Sequence, residues 1–116
     1  MTPELRKTIV DSLINGAECG IHYWARYEWV GGTYEDFERE GSATALRITE
    51  MNDDGTHGKV MDITPELAWD QLRVMLTSNS NQNLRRFAAD ILAEDGDADS
   101  DDALIQFCLF QEIVYG

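Results

Sequence analysis

The sequence predicts an α+β domain in which an N-terminal helix leads into a three-stranded antiparallel meander, and three C-terminal helices pack on one face of that sheet. Two observations carry this prediction. Apolar residues recur at helical spacing before Gly16 and again after Thr64, and the segments between them alternate with a period of two, broken by Gly-Gly and Asn-Asp-Asp-Gly turns. At 116 residues the chain has the common size of a single domain.

In the opening helix Thr2 caps, Pro3 suits the first position and Glu4 complements the N-terminal dipole. Leu5, Ile9 and Leu13 repeat along one face, and Asn15-Gly16 marks the stop. From Ile21 to Val30, Ile21, Tyr23, Ala25, Tyr27 and Trp29 alternate with His22, Trp24, Arg26, Glu28 and Val30, a strand pattern rich in aromatics. Thr33 to Gly41, carrying Glu35, Asp36, Glu38 and Glu40, is expected as an exposed connection. Ala43 to Met51 forms the second strand, with Leu46 and Ile48 on one face. Asn52 to Gly55 turns the chain, and Lys59 to Ile63 returns as the third strand.

Thr64-Pro65-Glu66-Leu67 reuses the helix-start chemistry of the opening tetrapeptide, and Ala68, Leu72, Met75 and Leu76 then share a face. After a polar break from Ser78 to Asn83, Leu84, Phe87, Ala88, Ile91 and Leu92 fit the amphipathic template. The acidic run from Glu94 to Asp102 is expected as a solvated loop, with Ser100 and its neighbouring Asp residues capping a last helix through Leu104, Phe107 and Cys108. Leu5, Ile9, Leu13, Leu72, Phe87, Ile91 and Phe107 are expected to be buried together.

A formal charge of −13, with two Lys and seven Arg, opposes binding to nucleic acid or anionic membrane and favours a protein partner with a basic surface. No apolar run is long enough to span a bilayer, and the N-terminal residues carry no secretory signature. Cys19 and Cys108 are read as reduced thiols, so a cytoplasmic location is expected.

Asp95, Asp97, Asp99 and Asp101 alternate like the first half of a calcium-binding EF-hand loop. Ser100 stands where such a loop needs Gly, and Gln106 where it needs a bidentate Glu, so no metal site is expected. His22 and His57 lack partners at catalytic spacing. Cys19 and His22, three residues apart on entering a strand, point to different faces. No catalytic residue and no cofactor are therefore assigned. The aromatic strand places Tyr23, Tyr27 and Trp29 on one face and Trp24 with Arg26 on the other. Core packing is the ordinary use of such a strand, while a partly exposed Trp24 could anchor an interface.

Glu18-Cys19-Gly20-Ile21-His22-Tyr23-Trp24-Ala25 is similar to an E-G-G-x-x-Y-W-A pattern in small proteins of tailed bacteriophages. The closing Phe107-Cys108-Leu109-Phe110-Gln111-Glu112-Ile113-Val114-Tyr115-Gly116 resembles their L-F-G-E-V-V-Y-G ending. Cys19 replaces the first motif's leading Gly, and Gln111 replaces the Gly of the ending. The resemblance implies a phage origin and a host cytoplasm, without implying an activity. The expected function is a non-enzymatic accessory factor that binds a host or phage protein, with Asp97, Asp99, Asp101 and Asp102 as an acidic patch. Eight acidic and no basic residues follow Arg86, mostly in one short run, which suits a local contact better than a duplex surrogate. The alternative is a small-ligand or nucleotide binder built on Glu18, Tyr23, Trp24 and Arg26, and an enzyme ranks third.

Overall fold

In a computed structural model describing residues 1–116, the Thr2 hydroxyl accepts from the Leu5 N–H at 3.1 Å and opens α1, Pro3–Asn15. The helix does not stop at Gly16. That residue keeps a right-handed backbone (φ −62°), and the chain widens into one π-helical turn, Gly16–Gly20. Glycine serves close approach here rather than a left-handed stop. A Cβ on Gly16 would lie 2.7 Å from Ile105 Cδ1 and 3.1 Å from the Asp101 carbonyl, and one on Gly20 would lie 3.1 Å from the Ala98 carbonyl.

The first strand is shorter than its alternation suggests. Trp24 and Ala25 both donate backbone N–H groups to the Ile21 carbonyl, so residues 21–24 form a turn and β1 runs Ala25–Val30. The turn rotates Trp24 into the core and leaves Tyr23 exposed, the reverse of the exposed Trp24 that strand alternation implies. The connection after β1 is also not wholly exposed. Thr33 and Asp36 form a reciprocal capping box that starts α2, Tyr34–Glu38, and Phe37 is fully buried. Beyond Ala45–Met51 (β2) and His57–Ile63 (β3), the sheet order is β1-β2-β3, all antiparallel. The register aligns Tyr27, Ile48 and Met61, and then Trp29, Leu46 and Ile63, on the core face. On the outer face Arg47 reaches across all three strands, donating to Asp62 at 2.8 Å and standing 3.9 Å from Glu28.

Side-chain oxygens cap the remaining helices: Thr64 for α3 (Pro65–Leu76), Asn81 for α4 (Gln82–Leu92) and Asp97 for α5 (Ala98–Phe110). The acidic loop therefore ends at Asp97, and Asp101 and Asp102 lie inside a helix. The cause is the apolar run from Ala103 to Phe110, interrupted only by Gln106. It leaves α5 no polar face, so the helix sits at the centre of the fold with Ser100 to Leu109 buried without a break. Gln111 closes it in the left-handed region (φ +57°), at the place where the resembled ending has its glycine.

Ile9, Leu13, Leu72, Ile91 and Phe107 join one core, whereas Leu5 and Phe87 are only half-buried at its margin. The Arg86 guanidinium covers the Phe87 ring at 5.1 Å. Phe87→Ala is accordingly expected to cost about 1–2 kcal/mol in denaturant melts, below the ~3–5 kcal/mol of a fully buried Phe. Arg6 is buried and donates to the carbonyls of Glu38 (2.6 Å), Arg39 (3.2 Å) and Phe37 (3.4 Å). Those of Phe37 and Glu38 belong to the last turn of α2, which has no further turn to pair them, so Arg6 fastens α2 beside α1.

Candidate functional site

Neighbouring residues on a helix point in different directions, and Asp101 and Asp102 of α5 use this to serve two sites. Asp102 faces the turn before β1. Its Oδ1 accepts from Trp24 Nε1 at 2.8 Å and from Gln106 Nε2 at 3.0 Å, and its Oδ2 accepts from the Tyr23 hydroxyl at 2.5 Å. Gln106 continues the network. Its Oε1 accepts from the N–H groups of Val114 and Tyr115, both at 2.8 Å, and its Nε2 donates to the Tyr115 carbonyl at 3.0 Å. The Tyr115 ring stacks on Trp24 with centroids 5.2 Å apart and planes at 11°, and its hydroxyl donates to Glu50.

The two segments that carry the phage resemblance thus meet on one buried carboxyl–amide pair. Burial and the Asp102 carboxylate push the Tyr23 phenol well above its ordinary range. The Lys59 N–H, with the Tyr115 hydroxyl, holds the Glu50 carboxyl below its own. Every polar group of the Asp102–Gln106 pair has a partner, which marks it as a clasp rather than a reacting centre.

Asp101 faces α1. Its Oδ1 accepts from the Ser12 hydroxyl at 2.6 Å, and it stands at the back of a cavity of about 190 Å³ with Thr8, Asp11, Asn15 and Glu94. Burial, with Asp97 nearby, pushes Asp101 up from 3.8 to about 6 against the opposing pull of the Ser12 hydroxyl. Between those two values the folded chain keeps a proton that the unfolded chain releases, so stability falls as pH rises through that window. Asp101→Asn, which does not titrate there, is expected to lack this fall. Its advantage over the wild type should grow by about 1–2 kcal/mol between pH 4 and 7 in urea melts, less than the full shift because water reaches the cavity. Parallel curves for the two proteins would refute it.

The cavity is one of three adjoining depressions that share Asp11. A second, of about 390 Å³, runs past Arg6 and Lys7 to Glu38 and Glu40. The third, of about 450 Å³, lies between Asn15, Glu18, Tyr34 and Glu38. Together they line the exposed flank of α1 with carboxylates, against which only Lys7 is an exposed cation, and Lys7 is bonded to Asp11 at 2.8 Å.

The other sequence-predicted residues disperse. Glu18 is exposed on the α1 flank, while Arg26 lies on the outer sheet face beside His57. Tyr23 and Trp24 converge on Asp102, so no pocket gathers Glu18, Tyr23, Trp24 and Arg26. Asp97 is spent capping α5, where the Ser100 N–H lowers its pKa, and Asp99 is exposed. These alternating carboxylates diverge, and no group of three His, Cys, Asp or Glu side chains is arranged to hold a metal ion. Cys19 is exposed. Cys108 is buried, which pushes its thiol up to about 12. No helix is long and apolar enough to cross a membrane.

Ser12 and Glu50, which complete these networks, were not singled out from the sequence, while Gln106 was read there only as a missing calcium ligand and Tyr115 only as part of the closing motif. Gln106 alone left a signal: it is the one polar residue within the apolar run that α5 buries. Among known proteins, no family model, no curated protein and no solved structure matches this chain.

Proposed function

We propose that the protein is a non-enzymatic accessory factor of phage type, acting in the host cytoplasm, that binds a host or phage protein by receiving a basic surface on the acidic flank of α1. The observation that carries this reading is the run of three depressions sharing Asp11 and rimmed by Glu18, Glu38, Glu40 and Glu94. A concave, one-signed surface focuses its field and steers an oppositely charged partner, with a strong dependence on salt. Tyr34, half exposed at one end of the run, adds an aromatic contact of the kind that anchors interfaces. This moves the patch expected from Asp97 to Asp102: Asp101 and Asp102 are buried in networks, and the acids of the α1 flank take their place.

The test compares two variants that remove equal charge. Glu18→Gln/Glu38→Gln/Glu94→Gln neutralises the flank, and Asp53→Asn/Asp54→Asn/Glu112→Gln neutralises exposed acids elsewhere. In capture of basic proteins from host lysate over a salt series, the flank variant should lose at least about tenfold in binding, equivalent to ~1.4 kcal/mol, while the control keeps it. Equal loss in both would mean that the acidity acts only through net charge, and the proposal would fall.

A further inference from the structure

We infer that the cavity between α1 and the α4–α5 connection is a subsite for a primary alkylammonium group, a lysine side chain of the partner, received by Asp101 with Asp11 and Glu94. The inference rests on the reading of the α1 flank as a docking surface and names the group that docks there.

The Asp101 side chain carries the argument. The residue is 6% exposed, yet only its Oδ1 has a protein donor, the Ser12 hydroxyl. Its Oδ2 accepts from no protein group, and no Lys or Arg forms an ion pair with it. Oδ2 is not sealed from solvent, but a carboxylate this enclosed and without a countercharge is still less well solvated than one in bulk water, and a cation entering the cavity would relieve that. Asp102, one residue on, has donors on both oxygens and no such need.

The lining also decides which cation. The Thr8 hydroxyl lies within reach of the Glu4 carbonyl (3.1 Å) and Glu94 Oε1 (3.2 Å), so its proton is engaged and its lone pairs are free. Asn15 and Glu94 add further acceptors. An ammonium brings three donors and no acceptor, matching a wall of acceptors. A guanidinium binds best in a fork to both oxygens of one carboxylate, and each lining carboxylate already has a neighbouring donor crowding one oxygen: Ser12 at Asp101, Lys7 at Asp11 and Thr8 at Glu94. About 190 Å³ admits an ammonium head with part of its methylene stem.

The experiment is a titration of the full chain with n-butylammonium, n-butylguanidinium and tetramethylammonium, followed by amide NMR shifts at pH 7.5 and constant ionic strength. Butylammonium should produce saturable 1:1 shifts centred on Ser12, Asn15 and Gly96. Butylguanidinium should bind about tenfold more weakly, and tetramethylammonium, which has no N–H donor, should not saturate. Asp101→Asn should weaken butylammonium at least about tenfold and Glu94→Gln about threefold, while Asp99→Asn leaves it unchanged. Shifts spread over the whole acidic surface, or saturation by tetramethylammonium, would overturn the inference, as would tight binding to Asp101→Asn. If butylammonium binds as expected but the flank variant still captures its partner, the subsite stands and the docking reading falls. If capture is lost while butylammonium fails to bind, the reverse holds.

Discussion

Asp102→Ala should destabilise the protein by about 3–5 kcal/mol, because it removes the acceptor of three donors at once. Trp24 Nε1 is sealed in the core and has no other partner, so it bears the full desolvation cost. Gln106 Nε2 keeps the Tyr115 carbonyl, and the Tyr23 hydroxyl can turn to water, so neither loses as much. Asp102→Asn, which retains one acceptor, should lose less than Ala. Asp99→Ala, on the exposed side of the same helix, should stay within about 0.5 kcal/mol of wild type. Urea melts with near-ultraviolet circular dichroism of the Trp24 environment provide the measurement. A loss under about 1 kcal/mol for Asp102→Ala would show that the carboxyl does not hold the turn before β1.

Gln106→Glu should be nearly as damaging although it changes one atom. The amide Nε2 donates to Asp102 Oδ1 and to the Tyr115 carbonyl, both at 3.0 Å. A carboxylate there would set like charge against Asp102 and oxygen against carbonyl. At neutral pH the cost should be about 3–5 kcal/mol, that of an uncompensated buried charge. The repulsion raises the new acid's folded-state pKa, so the deficit should shrink as pH falls and the Glu regains a proton to donate. Stability of Gln106→Glu equal to wild type at pH 7 would mean that residues 111–116 are not clasped by this side chain.

Much of the fold was legible because its signals are local. Each helix cap spans three or four residues, and the Asn52 to Gly55 turn fixes the β2–β3 hairpin through neighbours alone. The failures came where a local pattern outran its element or a decision was made at long range. Alternation from Ile21 onward extends the strand back through residues that are a turn, because a period of two in four residues does not exclude a turn. Trp24 and Tyr23 were therefore assigned to the wrong environments. The acids of α5 were misplaced for another reason. A run of Asp reads as solvated, and only Ser12, Tyr23 and Trp24, lying 89, 79 and 78 residues away, make it cheap to bury Asp101 and Asp102. The resemblance marked both ends of the chain as distinctive, yet nothing in one dimension says that those ends touch. An excess of acidic side chains was legible in the composition. Its location was not, since it depends on Arg6 fastening α2 beside α1.

The placement of α5 also governs when the chain can fold. The buried faces of α1 and of the π turn close in part against α5, so the core around Leu13, Ile21 and Trp24 stays open until a helix far along the chain docks. Contacts between sequence extremes slow the search, because the loop they close must be ordered before it is rewarded. Hairpin β2–β3 can form early, but the core beside it waits for α5 to dock. A nascent chain stalled before α5 would display an aromatic, apolar surface to the cell's chaperones and proteases. A chain held in that state, with its core open, is the kind that quality control retains or degrades.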